Sequence, residues 1–223
     1  MEKYKLDDIF NCDEAAIFWK QLPTATLATR VDQAKGGKLA KDRITVLFCC
    51  SAAGEKLKPL VIGRSANPRA FKNKRAVVDV LVAYKFNQKA WMTTTIFKEC
   101  LTALNDDMKR QKRQIALLLD NATCHPHLKL SNIKLTFLPP KTTCRLQPLD
   151  AGIIRLVKAL FRKELVRYVV KCLKEMDGKA TEICKKKVTV FEAIKWISSA
   201  WECVSNTTAA KCFAKYSVNF FFD

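Results

Sequence analysis

Residues 114–119 read Gln-Ile-Ala-Leu-Leu-Leu, an apolar run without alternation that stops at Asp120-Asn121. A strand with one wet face alternates apolar and polar residues; a continuous run of this length indicates a strand covered on both faces. Such cover needs layers above and below the sheet, so the chain reads as α/β. Helical segments supply the layers. Between residues 93 and 108, Ile96, Phe97, Cys100, Leu101 and Leu104 share one helical face behind a threonine run suited to cap it. After Asp150, apolar residues recur at three and four positions from Ile153 through Val157, Phe161, Leu165 and Val169 to Met176, a long amphipathic helix that Gly178 can end. Asp150 stands at or just before its first turn, where a negative charge suits the helix dipole. Another amphipathic helix runs through Phe191, Ile194, Ile197 and Trp201, followed by a shorter one near residues 209–213.

The remaining strands are shorter. Residues 8–12 form one that delivers Asp13 at its end, residues 25–31 a second, and a Gly36-Gly37-Lys38 turn region leads to residues 43–51, rich in β-formers. Residues 58–62 pair with the last of these, so the opening is an antiparallel meander, and residues 133–138 form a half-exposed strand. Residues 64–89 show no period and read as an irregular excursion. The expected architecture is a mixed sheet flanked by helices, with a helical C-terminal part.

Composition excludes several classes. With 49% apolar and 27% charged residues among 223, wholesale disorder is out. The longest apolar stretches, such as residues 77–83 interrupted by Asp79, are too short for a membrane span, so no membrane partner is expected. Residues 1–8 lack a signal-peptide core, so the chain is expected to stay inside the cell. The 10 cysteines contain no Cys-x-x-Cys pair, and most are expected to be reduced and buried. Zinc at Cys124, His125 and His127 lacks the second ligand pair at its usual spacing.

Forty Lys and Arg against 21 Asp and Glu leave +19, a field that attracts polyanions and makes association salt-dependent. DNA is the expected partner, and no small-molecule substrate is expected. Lys109, Arg110, Lys112 and Arg113 form one candidate phosphate-contact patch, and Arg155, Lys158 and Arg162 on one flank of the long helix form another. Solvated helix surface explains either set as well. Lys185-Lys186-Lys187 reads as a solvated loop, and the tryptophans as core.

Asp13, Asp120 and Asp150 fall at the ends of expected elements, and such ends converge on one edge of an α/β sheet. Three carboxylates in a dry site repel one another unless a cation is present. Oxygen ligands suit Mg²⁺ or Mn²⁺, and two such ions about 3.5–4 Å apart clamp the attacking and leaving oxygens of a phosphodiester. Helix caps and turns account for such aspartates equally well when taken singly.

The words around these residues narrow the choice. Ile9-Phe10-Asn11-Cys12-Asp13-Glu14, Gly36-Gly37-Lys38, Asp42-Arg43-Ile44-Thr45-Val46-Leu47, Lys58-Pro59-Leu60-Val61-Ile62-Gly63, Ala90-Trp91-Met92-Thr93, Leu117-Leu118-Leu119-Asp120-Asn121, Phe137-Leu138-Pro139-Pro140 and Leu146-Gln147-Pro148-Leu149-Asp150-Ala151-Gly152 occur in order. Together they resemble the DDE-superfamily endonuclease domain of pogo-like transposases, nearest to the Tigger transposable-element-derived proteins and relatives of centromere protein B. The resemblance implies a ribonuclease-H-like domain over residues 5–175, with residues 176–223 as a helical extension. It also implies a nuclear DNA-binding protein whose Asp13, Asp120 and Asp150 hold Mg²⁺ or Mn²⁺ for strand cleavage and joining, with His125 positioning the nucleophile or the scissile phosphate. Homo-oligomerisation stays open.

Departures from the pattern are Ala15 for a threonine, Lys141 for an asparagine, Ala151 for a glutamine and residues 77–83 in place of a Leu-Pro word. None removes a candidate metal ligand. The stretch before Asp13 is too short for the helix-turn-helix region that precedes this domain in the family, so sequence-specific end recognition is not expected from these residues alone. Three readings stand: a metal-dependent nuclease or transposase, a host-retained module that binds nucleic acid without cutting it, and a non-functional truncated copy.

Overall fold

The structure, a computed structural model, describes residues 4–22, 42–139, 146–175 and 179–215. The expected strand at 25–31, the glycine turn at 36–38, Pro140, Lys141 and Gly178 lie outside the described residues. Six strands, β1 (Ile9–Phe18), β2 (Arg43–Ser51), β3 (Leu60–Gly63), β4 (Ala83–Phe86), β5 (Ile115–Leu119) and β6 (Ile133–Phe137), form one sheet in the order β4-β3-β2-β1-β5-β6. The meander of β1, β2 and β3 is antiparallel, as expected; β5 runs parallel to β1, β6 to β5 and β4 to β3. Helices α1 (Arg75–Leu81), α2 (Thr94–Arg110), α3 (Ile154–Glu175), α4 (Ala180–Lys186), α5 (Val190–Glu202) and α6 (Asn206–Ala214) complete the described elements. This is the ribonuclease-H-like mixed sheet flanked by helices that the sequence implied.

Alternation along β1 divides the interior in two. Ile9, Ala15 and Ile17 join a core built with α3, α5 and α6, whereas Phe10 and Cys12 face the other way, into a core with Ile96, Phe97 and Leu101 of α2. Each buried Ile, Leu or Phe among them contributes about 1.5–3 kcal/mol relative to exposure. Strand β5 is buried at all five residues, which its uninterrupted apolar run required. Helix α2 begins where its cap predicts: Thr93 Oγ1 accepts from the Ile96 amide at 3.3 Å.

The C-terminal helices pack on the same core. Trp201 of α5 lies 4.9 Å from Phe48 of β2 between ring centroids, and its indole donates to Leu57 O at 2.9 Å. Lys56 donates to the carbonyls of Trp201, Glu202 and Val204 at 3.1, 2.7 and 2.9 Å, satisfying the end of α5. Gly54, at φ +96°, admits the start of α6, because a Cβ there would lie 2.5 Å from the Asn206 Cα.

Three expectations are corrected. The first strand extends ten residues, to Phe18, because β2 pairs with it from Phe10 to Phe18, so Asp13 lies within β1 rather than at its end. Residues 64–89 are not irregular throughout: they contain a 3₁₀ turn (Arg69–Phe71), α1 and β4. Lys185 and Lys186 are not loop residues but the last turn of α4, where cations suit the helix dipole.

Candidate functional site

The parallel register of β1 with β5 pairs Asn11 with Leu118, an offset that carries Asp13 level with Asp120 two residues on. Asp120 follows β5 directly, and both side chains belong by alternation to the face that packs on α3. Asp150 arrives on a π-helical turn, Leu149–Ile153, that leads into α3. Asn11 ties the three segments together. It is fully buried, donates to Leu118 O at 3.1 Å and accepts from the Leu149 amide at 3.0 Å.

The carboxylates perturb one another, although only Asp13 is buried, Asp120 being half-buried and Asp150 exposed. Asp13, 9% exposed, is pushed up to about 8 by burial first and then by the charges of Asp150, Glu14 and Asp120, against a 2.8 Å hydrogen bond from the Glu14 amide. Burial also raises Asp150, opposed by a hydrogen bond with Asp13 and by the Lys158 charge. Asp120 differs. Its Oδ1 lies 2.8 Å from His125 Nδ1 and accepts from the Ala122 amide at 3.2 Å, and the histidine chiefly holds this carboxyl below its usual range.

The structure places His125 as a clamp on the carboxylates. Both ring nitrogens are engaged, Nδ1 with Asp120 and Nε2 with Glu14 Oε1 at 3.0 Å, and the ring stacks 4.2 Å from Phe97 of α2. Burial would lower this imidazole, but the hydrogen bonds to Asp120 and Glu14 outweigh it and raise it to about 10. Sequence reasoning passed over Glu14. The available signal was alternation, since the residue after Asp13 must point to the opposite face, where residue 97 and the loop after β5 lie. His127 stands apart, its ring stacked 4.1 Å from Phe137. Among the described residues, the group whose ligand atoms all lie within 4.8 Å of one another is Glu14, Cys124 and His125, not the three aspartates.

The basic residues separate into two sets. Lys109, Arg110, Lys112 and Arg113 precede β5, whereas Asp120 follows it, so five strand residues at about 3.3 Å each keep this cluster from the aspartates. Arg113 is not presented for phosphate contact: it pairs bidentately with Glu55 at 3.1 and 3.0 Å, bridges Asp8 at 3.0 Å and donates to Asp7 O at 2.8 Å. Arg110 pairs with Asp107, while Lys109 and Lys112 are exposed. On α3, Arg155 and Arg162 are exposed and Lys158 half-buried, close enough to Asp150 to lower its proton affinity.

The mixed sheet thus gathers Asp13 within β1, Asp120 just after β5 and Asp150 on the turn into α3. The DDE superfamily endonuclease model matches residues 41–213, and the chain belongs to that family. The match begins after Asp13 and runs into α6. Tigger transposable element-derived protein 4 of Mus musculus is 30% identical over 217 residues, 96% of this chain and 40% of the relative. CENP-B homolog protein 2 of Schizosaccharomyces pombe is 33% identical over 205 residues, 87% of this chain and 38% of the relative. The chain thus spans about two fifths of the curated relatives it matches. Among solved structures, the Mos1 mariner paired end complex with Mn aligns with a TM-score of 0.57 at 13% identity, covering 97% of this chain and 54% of that one, a likeness of fold. The chain is a transposase-derived DDE-superfamily domain.

Proposed function

We propose that this domain binds DNA and that Asp13, Asp120 and Asp150 hold a divalent metal, Mg²⁺ or Mn²⁺, for strand cleavage and transfer. The observation that carries the reading is the β1–β5 register that sets the buried Asp13 level with Asp120, with Asp150 hydrogen-bonded to Asp13. A site that raises its own carboxyls suits a hard cation, and the donor set fits one. When bound, such ions activate the attacking oxygen and stabilise the leaving one. The protein's own residues do the rest: Asn11 fixes the spacing of the acid-bearing segments, His125 holds Asp120 in place, and Lys158 adds a cation where a phosphate would approach.

DNA as partner is supported by the +19 charge, by Arg155, Lys158 and Arg162 on the helix that Asp150 opens, and by the paired end complex of the mariner neighbour. That neighbour's Mn supports a divalent metal here. The nucleus is the compartment that fits a DNA partner and centromere-protein relatives.

A second reading, a module that binds DNA without cutting it, is favoured by the hold of His125 on Asp120. Plasmid nicking with Mn²⁺ or Mg²⁺ separates the two. Cutting by the chain and not by Asp120→Asn establishes cleavage; binding by both with the same salt dependence and no cutting establishes the second reading.

A further inference from the structure

Glu14 and His125 meet on the α2 face of the sheet edge, opposite the face that carries Asp13. Glu14 Oε1 lies 3.0 Å from His125 Nε2, and the Cys124 thiol completes a group whose three ligand atoms are all within 4.8 Å of one another. His125 is buried, while Glu14 and Cys124 are partly open to solvent. These are a carboxylate, an imidazole and a thiol, a mixed donor set suited to a borderline-soft divalent ion rather than to Mg²⁺.

We propose that Glu14, Cys124 and His125 form a second, separate metal site, selective for Zn²⁺, with a fourth position left to water. Ligand atoms on a tetrahedral zinc stand about 3.3–3.8 Å apart, given bond lengths of about 2.0–2.3 Å. The observed cluster reaches that geometry by small side-chain adjustments, the Glu14–His125 contact opening and the thiol closing in.

The ring of His125 is prepared for this role. Its Nδ1 is 2.8 Å from Asp120 Oδ1 and 3.2 Å from Asp120 O, so the Nδ1 proton stays on that side and Nε2 is the nitrogen aimed at Glu14. A carboxylate holding the far nitrogen is the usual outer support of a zinc-bound histidine, fixing both tautomer and ring orientation. The Phe97 ring, 4.2 Å away, restrains the imidazole plane. Binding expels the Nε2 proton and the Cys124 thiol proton to solvent, so no oxidant or reductant is involved. Spacing rules could not show this site, because Glu14 and His125 are 111 positions apart and His127, the local candidate, points to Phe137 instead.

Cobalt titration of the full chain tests it. Co²⁺ is expected to bind with a near-ultraviolet thiolate charge-transfer band, and Zn²⁺ to displace it. Cys124→Ser should abolish the band and weaken Zn²⁺ binding at least tenfold, and Glu14→Gln should weaken binding, whereas Cys100→Ser and Asp150→Asn should leave the band in place. A band that survives Cys124→Ser, or no band in the original chain, overturns the proposal. X-ray absorption of the Zn²⁺-loaded original chain gives an answer independent of any variant: one sulfur among nitrogen and oxygen donors is expected, and two or more sulfurs, or none, contradict it. The strand-cleavage reading is untouched by either result, since the Asp150→Asn protein keeps this site and loses the other.

Discussion

The amide of Leu149 donates to the side-chain oxygen of Asn11 at 3.0 Å, joining the approach to Asp150 to the strand that carries Asp13. The same side chain donates to Leu118 O, beside Asp120, so one buried amide sets the spacing of three segments that are far apart in sequence. Leucine of similar volume at this position leaves a buried N–H and a buried C=O without a partner, each costing about 1–3 kcal/mol. Asn11→Leu should therefore destabilise the fold by about 2–6 kcal/mol in urea titration. A change below about 0.5 kcal/mol would show that the segments are held by something else.

Raised proton affinities give the metal-free protein a definite pH dependence. Asp13 sits at about 8, so between its unfolded value of about 3.9 and about 8 the folded state binds more protons than the unfolded chain. Stability is then lost as pH rises through that window. His125, raised to about 10, acts in the same direction from about 6.5 upward. Thermal melts without divalent metal should show Tm falling between about pH 6 and pH 9, with a shallower fall for Asp13→Asn. A Tm that rises over this range contradicts the burial and charge described for Asp13.

Arg113 and the α3 cations should behave as opposites. Arg113→Ala leaves Glu55 and Asp8 without their shared partner and should cost about 2–3 kcal/mol in stability with little change in the salt dependence of DNA binding. Replacing Arg155, Lys158 and Arg162 together should leave the melt nearly unchanged and lower the slope of log K against log salt by up to about 0.9 per lost phosphate contact. Fluorescence anisotropy at several salt concentrations reads the slope. An unchanged slope for the triple variant would move the DNA path off α3.

Gly54 supplies a fourth check, on packing. Its positive φ and the closeness of Asn206 exclude a side chain, so Gly54→Ala should destabilise by about 1–3 kcal/mol and loosen α6 from β2. Hydrogen exchange of the α6 amides measures this, and unaltered protection would mean that the helix is anchored elsewhere.

What could be read from the sequence follows from how local the cause was. Strand β5 was legible because burial on both faces shows in every residue, and α2 because Thr93 caps an apolar stripe of helical period. Residues 64–89 were not, since α1 and β4 are short and mostly exposed, held by Val78 and Val82 at 0% exposure and by the Tyr84 hydroxyl on Ser65 O at 2.9 Å. Those contacts are tertiary and leave no period. The aspartates were found through the words around them. The Glu14–His125 pairing went unseen because it depends on which face of β1 each residue takes, and the role of Arg113 because its acidic partners lie 58 and 105 positions away.

The central claim is that Asp13, Asp120 and Asp150 act as one metal site. Manganese binding to the full chain, followed by the electron paramagnetic resonance of free Mn²⁺ with the Cys124 site already filled by Zn²⁺, tests it most directly. Saturable binding to the original chain is expected, lost in Asp13→Asn and in Asp150→Asn alike. Binding that is absent from the original chain, or that survives both substitutions, would contradict it.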